Sequence, residues 1–134
     1  MGAFTVLVTG SRHWPKNRKD AVEGALNNLL DLHYSADRFI VKVGDCPTGV
    51  DRITNDWART MVLNHVELEV FKADWKTYGK AAGPIRNQAL VDSGADVALV
   101  FLYGKSVGTK DCARRARAAG ITDYTLELAG DPEQ

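Results

Sequence analysis

The stretch Ala3–Arg12, AFTVLVTGSR, places a run of apolar and β-branched residues directly before a glycine-led polar turn. Ala3–Thr9 is predicted to form a strand, and its near-continuous apolarity is typical of a parallel sheet covered on both faces. Gly10 and Ser11 are turn residues that end the strand. The chain is therefore expected to begin with a buried strand whose carboxyl end leads into a polar loop.

Four further predicted strands alternate with helices along the rest of the chain. The strands are predicted at Arg38–Val43, Val66–Phe71, Asp96–Leu102 and Ile121–Leu128. The helices are predicted at about Asn17–His33, Thr48–Asn64, Pro84–Ser93 and Lys110–Ala119. This alternation indicates an α/β fold, a three-layer sandwich around a mostly parallel five-stranded sheet. Right-handed crossovers then predict the strand order 3-2-1-4-5.

Length and composition indicate one globular domain. The 134 residues match the size of a single domain, so residues 1–134 are treated as one unit, with 129–134 expected to be a frayed tail. A hydrophobic fraction of 45% and a charged fraction of 25% argue against disorder. Lys+Arg and Asp+Glu both number 17, and this zero net charge argues against a protein that coats nucleic acid.

The sequence shows no sign of a metal site, a cofactor or a membrane segment. Cys46 and Cys112 form no CxxC pair, and the three histidines, His13, His33 and His65, are far apart. No apolar run approaches the roughly 20 residues of a membrane span, and the chain starts without a basic leader. We therefore expect a cytoplasmic protein with no metal, no cofactor and no membrane partner.

The loops that leave the strands carry most of the glycine and polar residues. In a parallel sheet these loops meet at one edge, where helix amino termini present unpaired amides and partial positive charge. Glycine lets the backbone approach an anion, and arginine binds it with two hydrogen bonds. We predict a phosphate-sized site lined by Gly10, Ser11, Arg12, Gly44, Gly49, Gly83, Arg86, Asn87, Gly108 and Thr109.

Three local interpretations accompany this site. Pro84 suits the first position of a helix, which places Arg86 and Asn87 in the first helical turn. A cation is unfavourable there, and a bound anion would offset that cost. Thr109 is interpreted as the N-cap of the last helix.

Two aromatic and two acidic residues complete the predicted site. Trp75 and Tyr78 lie in a predicted loop, where they either stack on a base or form a hydrophobic lid. Asp45 and Asp51 are candidates for binding a ribose hydroxyl or for general acid–base catalysis. Asp51 in the first turn of a helix also stabilises the helix dipole, so Asp45 is favoured for a functional role.

Known nucleotide motifs do not fit. The segment Gly44–Asp51 has no Gly-Lys-Ser/Thr after its second glycine, which argues against a P-loop. Gly10-Ser11-Arg12 is not followed by the G-x-G-x-x-G pattern of dinucleotide-binding domains. A P-loop hydrolase and a nicotinamide dehydrogenase are therefore disfavoured.

Five motifs in order over nearly the whole chain carry a resemblance. They are Thr9–Arg12, the Gly44–Asp51 loop with Gly49-Val50-Asp51, Ala73-Asp74-Trp75 with Tyr78-Gly79, Ala82-Gly83-x-x-Arg86-Asn87 and Gly108-Thr109. Together they resemble the YspA-like family of the SLOG superfamily, named for Smf/DprA and LOG. The resemblance implies a Rossmann-like fold whose loops bind a nucleotide-derived, phosphorylated small molecule, as a sensor, carrier or processing protein.

Two branches of that superfamily supply alternatives. LOG enzymes are phosphoribohydrolases with a P-G-G-x-G-T-x-x-E motif, so the resemblance allows an N-glycosidic hydrolase in which Asp45 or Asp51 stabilises the sugar cation or activates water. Cys112 stands where that motif has its carboxylate, and Asp111 beside it points about 100° away on a helix. DprA-like proteins, which bind single-stranded DNA, carry similar Gly-Ser-Arg and Gly-Ile-Asp elements. LOG-like relatives dimerise, which makes a homodimer an expectation.

Overall fold

The computed structural model describes residues 2–130 and contains a five-stranded, fully parallel sheet in the order β3-β2-β1-β4-β5. The strands are β1 (Ala3–Gly10), β2 (Arg38–Gly44), β3 (Val66–Phe71), β4 (Val97–Tyr103) and β5 (Thr122–Leu128). The predicted fold class and strand order are therefore confirmed. Residues 131–134 of the predicted tail lie outside the described residues.

Helices cover both faces of the sheet. They are α1 (Lys19–Leu32), α2 (Gly49–Thr60), α3 (Trp75–Tyr78), α4 (Ala82–Asp92) and α5 (Val107–Ala118). Short 3-10 turns lie at Lys16–Arg18, Val62–Asn64 and Gly79–Ala81. Helices α1 and α2 pack on one face, and α4 and α5 pack on the other. No helix within residues 2–130 has the length and apolarity needed to cross a membrane.

The central strand β1 is buried on both faces, as its apolar run predicts. Val6 and Val8 pack into the core beneath α1 and α2, whereas Leu7 packs into the core beneath α4 and α5. Successive side chains of a strand point to opposite faces, so one apolar run serves both cores. The carboxyl end of β1 is thereby fixed in the middle of the sheet edge.

A buried lysine on β2 holds the end of α4 against the sheet. The Lys42 ammonium donates hydrogen bonds to Ser93 O at 3.0 Å, to Ser93 Oγ at 3.1 Å and to Gly94 O at 2.9 Å. These carbonyls lie at the carboxyl end of α4, where the helix dipole favours a cation. The contact anchors the helix that carries Arg86 and Asn87.

The starts of α4 and α5 differ from the sequence prediction in ways that affect the site. Helix α5 begins at Val107 with Ser106 as its N-cap residue, so Thr109 lies in the first turn and is not the cap. The Ser106 hydroxyl donates to Tyr103 O and accepts from Tyr103 N, which closes a tight local turn after β4 and lets the helix begin earlier. Helix α4 begins at Ala82, two residues before Pro84.

The early start of α4 is compatible with proline, because the first amides of a helix have no intrahelical acceptor. Arg86 and Asn87 consequently lie in the second turn of α4 and not in the first. The predicted loop before α4 also contains the short helix α3, whose N-cap residue Asp74 accepts a hydrogen bond from Thr77 N at 3.1 Å.

Candidate functional site

A cavity of about 430 Å³ opens at the carboxyl ends of β1 and β4. We call it the polar cavity, and it is lined by Thr9, Gly10, Ser11, Arg12, His13, Cys46, Asp51, Arg86, Asn87, Tyr103, Lys105, Ser106, Val107, Gly108 and Thr109. Its volume lies in the range of about 300–1,000 Å³ that is usual for small-molecule sites. Its wall is formed by the loops after β1, β2 and β4 and by α4. The sequence analysis placed these three loops at one sheet edge.

The polar cavity brings together most of the residues predicted to surround phosphate. They are Gly10, Ser11, Arg12, Arg86, Asn87, Gly108 and Thr109. Sequence reasoning missed His13, Tyr103 and Lys105, which also line it. Lys105 could have been predicted from the sequence, because it is a cation next to Gly104 in the loop that follows β4.

The cations of the polar cavity differ in their partners. Arg12 and Lys105 form no ion pair with any residue in the described range 2–130. Arg86 Nη1 pairs with Asp45 Oδ1 at 3.0 Å. Asp45 therefore provides the negative charge beside Arg86 that the sequence analysis attributed to a bound anion. The polar cavity keeps two cations whose charge no side chain within 2–130 neutralises through an ion pair.

Gly49 joins the loop after β2 to the loop after β1. Its φ is +68°, a left-handed value, and a Cβ there would overlap Ser11 O and lie 2.6 Å from Arg12 Cα. Val50 N donates to Ser11 O at 3.1 Å, and the Thr48 hydroxyl donates to Arg12 O at 3.1 Å. Gly49 thus supports the polar cavity from behind and does not line it.

Gly44 acts in the same indirect way. A Cβ at Gly44 would lie 2.5 Å from Arg86 Nη1 and 2.8 Å from Asp51 Oδ2. The absence of a side chain lets the guanidinium and the carboxyl group approach the end of β2. Gly44 does not line the polar cavity, so its predicted role in ligand binding becomes one of making room for charged groups.

Asp51 is the carboxyl group of this site whose pKa is raised towards neutrality. It is 8% exposed, and burial raises its pKa from 3.8 to about 6. The nearby Asp45 carboxylate adds to this rise, while the hydrogen bond from Cys46 N and the charge of Arg86 oppose it. Asp45 instead accepts hydrogen bonds from Arg86 and Ala73 N. Asp51 is thus a buried carboxyl group at the wall of the polar cavity, whereas Asp45, which the sequence favoured for a functional role, is held in an ion pair with Arg86.

The raised pKa predicts a pH-dependent stability. Because folded Asp51 binds its proton more tightly than the unfolded chain does, its contribution to stability is present below pH 3.8 and is lost as the pH rises through about 6. Between pH 5 and pH 8 the loss is about 1.4 kcal/mol. Urea unfolding of wild type and Asp51→Asn at both pH values should show this loss only in the wild type. An identical pH dependence in the two proteins would contradict the assignment.

Position 112 does not replace the carboxylate of the LOG motif. Cys112 is fully buried in the core beneath α4 and α5, and burial raises the pKa of its thiol to about 11. The side chain is therefore a neutral core residue. It does not line the polar cavity.

Asp111 and Asn87 tie α4 to α5. Asn87 Nδ2 donates to Asp111 Oδ2 at 3.0 Å and to Gly108 O at 3.2 Å. Burial opposes the charge on Asp111 most strongly, yet the hydrogen bonds from Arg115 and Asn87 and the nearby arginine charges keep its pKa below the ordinary value. Asn87 thus positions the start of α5 at the polar cavity.

The two predicted aromatic residues, Trp75 and Tyr78, do not lie in the same cavity. Trp75 and Gly83 line a neighbouring cavity of about 650 Å³, whereas Tyr78 lines neither cavity. We call the second cavity the Trp75 cavity. Within residues 2–130, no group of three or more His, Cys, Asp or Glu side chains is placed to hold a metal ion.

Comparisons with known proteins give a family and one close relative. The model of the family described as "YspA, cpYpsA-related SLOG family" matches residues 4–78, which include the loops after β1 and β2. The "Gene 61 protein" of Mycobacterium phage D29 is 42% identical over 118 residues, covering 87% of this chain and 90% of that protein. No solved structure matches the chain significantly.

Proposed function

The chain belongs to the YspA, cpYpsA-related SLOG family, and from this premise we propose that it binds a nucleotide-derived, phosphorylated small molecule in the polar cavity. The observation that carries the proposal is the presence of Arg12 and Lys105, without ion-pair partners among residues 2–130, in one cavity with the start of α5. Unpaired cations beside a helix amino terminus favour an anion.

The first turn of α5 supports the same proposal. No side chain caps this helix, so the amides of Val107, Gly108 and Thr109 lack intrahelical acceptors and a side-chain cap. The side chain of Thr109 is buried, borders the cavity and makes no hydrogen bond to other described residues. A phosphate group offers acceptors for these amides and for the hydroxyl.

Gly108 is a glycine that packing within residues 2–130 does not require. A Cβ at this position would have no atom within 4 Å, and the residue does not have a positive φ. Glycine in a helix costs roughly 0.5–1 kcal/mol relative to alanine. Close approach of a ligand to the backbone would account for glycine here, whereas neighbouring atoms account for Gly44 and Gly49.

Gly108→Ala should therefore separate stability from binding. We expect the free energy of unfolding to rise by roughly 0.5 kcal/mol or more, while the affinity for a phosphorylated ligand falls because the methyl group occupies the approach to the amides. Urea unfolding and isothermal titration calorimetry measure the two effects. Gly24→Ala is the matched control, since Gly24 also lies in a helix with open space around it but lines neither cavity. Unchanged affinity in Gly108→Ala would count against the site.

A panel of ligands tests the proposed function itself. Inorganic phosphate, ribose 5-phosphate, nucleoside 5′-monophosphates and unphosphorylated nucleosides are added in a thermal-shift assay. A ligand present at 100 times its Kd stabilises the folded state by about 2.7 kcal/mol, so binding raises the Tm. We expect phosphorylated compounds to raise the Tm more than the matching nucleosides. If no phosphorylated compound does so, the proposal is wrong.

An N-glycosidic hydrolase is the second candidate function, and Asp51 favours it. A carboxyl group with a pKa of about 6 at the wall of the polar cavity suits a general acid or base near neutral pH. Chromatography of nucleotides incubated with the protein would detect released base, and Asp51→Asn should abolish the release. Binding without any released base would leave only the first candidate.

Binding of single-stranded DNA has less support. The formal net charge is zero, and the arginines of α5 are paired within the fold. Arg114 and Arg115 bind Asp111, and Arg117 binds Asp123. DNA binding gains from protein cations that replace counterions on the phosphate backbone, and the ion pairs with Asp111 and Asp123 weaken this effect for the arginines of α5.

A further inference from the structure

The Trp75 cavity borders the polar cavity and has a different character. The two cavities adjoin, because six residues line both of them: Arg12, Cys46, Arg86, Asn87, Val107 and Gly108. Beyond them the wall includes Trp75, Pro47 and Pro84. The planar indole of Trp75 and two proline rings therefore give the Trp75 cavity an apolar part, and Lys105 does not line this cavity.

The indole of Trp75 is held by the fold with part of its surface open. Helix α3 starts at Trp75 and is capped by Asp74. A Cβ at Gly83 would lie 3.3 Å from Trp75 Cη2, so the indole rests on the first turn of α4 at a position without a side chain. The residue is nevertheless 55% exposed. A rigidly supported ring with an open surface suits stacking by another planar group.

Building on the proposed function, we infer that the ligand retains its nucleobase and spans both cavities, with its phosphate in the polar cavity and its base stacked on Trp75. A sugar phosphate alone would leave the Trp75 cavity empty and the indole uncovered. Tyr78, three residues further along the same short helix, lines neither cavity and does not take part. The class of ligand is thus a nucleotide and not a ribose phosphate.

Tryptophan fluorescence provides a direct test on the unmodified protein. Trp14 and Trp57 are 3% and 4% exposed, so acrylamide quenching reports mainly on Trp75. We expect AMP and CMP to protect the emission from acrylamide, and ribose 5-phosphate to leave it unprotected. We also expect at least one of these nucleotides to bind roughly 5- to 150-fold more tightly than ribose 5-phosphate, the gain usual for one base stacked on an aromatic ring.

Variants test whether the tighter binding of nucleotides depends on the side chain of Trp75. By calorimetry, Trp75→Ala should lose most of the preference for nucleotide over ribose 5-phosphate, and Trp75→Tyr should keep part of it. Tyr78→Ala, a change at an equally exposed aromatic residue of the same helix, should keep all of it. Circular dichroism verifies the fold of each variant. If Trp75→Ala does not fold, the comparison of ligands on wild type decides by itself.

The outcomes separate this inference from the proposed function. If ribose 5-phosphate binds in an Arg12-dependent way but the nucleotides bind no more tightly, the base site is wrong and the phosphate site stands. A folded Trp75→Ala that keeps the wild-type preference also overturns the base site. If neither ribose 5-phosphate nor nucleotide binds, the proposed function fails and this inference fails with it.

Discussion

Gly49→Ala is expected to lower the free energy of unfolding by about 3 kcal/mol or more. Two costs combine. Alanine at a φ of +68° is strained, and its Cβ would overlap Ser11 O with the backbone of Arg12 behind it. Because both obstacles are main-chain atoms tied by hydrogen bonds, the loop after β1 must shift as a unit. Urea unfolding measures the loss, which is a large part of a typical stability of about 5–15 kcal/mol.

A matched substitution separates the clash from the backbone strain. Gly120 has a φ of +81° but no atom within 4 Å of a Cβ. Gly120→Ala should therefore cost about 1–2 kcal/mol, from the left-handed conformation alone. If Gly49→Ala costs no more than Gly120→Ala, the proposed clamp between the two loops is incorrect. A folded Gly49→Ala should also bind phosphorylated ligands more weakly, since Ser11 and Arg12 would be displaced.

Arg12→Ala is expected to weaken the binding of a phosphorylated ligand by about 10- to 100-fold, the usual loss for one hydrogen bond between charged groups. Arg12 is exposed, lines both cavities and has no ion-pair partner among residues 2–130. Its removal should therefore change the free energy of unfolding by no more than about 0.5 kcal/mol. Calorimetry with ribose 5-phosphate, at low and high salt, measures the affinity and its electrostatic part.

Arg59→Ala serves as the control for this change. Arg59 is another exposed arginine, near the end of α2, whose Nε donates to Asn55 Oδ1, and it lines neither cavity. We expect Arg59→Ala to bind ribose 5-phosphate with the same affinity as the wild type. Equal losses in the two variants would indicate a general effect of net charge, and no loss in Arg12→Ala would remove this residue from the site.

Sequence reasoning predicted the positions of the strands better than the starts of the helices. Val66–Phe71 was predicted with the observed bounds, because alternation and burial are encoded in neighbouring residues. The start of α5 was placed three residues late, at Lys110, because Thr109 looks like a cap in isolation. Ser106 occupies the N-cap position without capping the helix, since its hydroxyl bonds back to Tyr103 and closes the turn after which α5 starts.

The glycines of the candidate site have different roles that could not be predicted from the sequence. The predicted site glycines lie at strand ends or helix starts, and the sequence assigned them one common task. The structure separates them: Gly49 packs against main chain, Gly44 admits charged groups, Gly83 supports Trp75, and Gly108 has open space. These differences depend on atoms from other elements, which no local pattern contains.

The amino-acid sequence by itself determined the alternation of strands and helices, the order of the sheet and the edge at which polar loops gather. Apolar periodicity and turn residues act over short distances along the chain, and crossover handedness then leaves few arrangements. Only the tertiary structure decided that Arg86 is paired with Asp45 while Arg12 is not, that Asp51 is buried, and that Trp75 borders a cavity. Charge pairing, burial and cavity walls arise from contacts between residues far apart in the chain, so they exist only once the fold has formed.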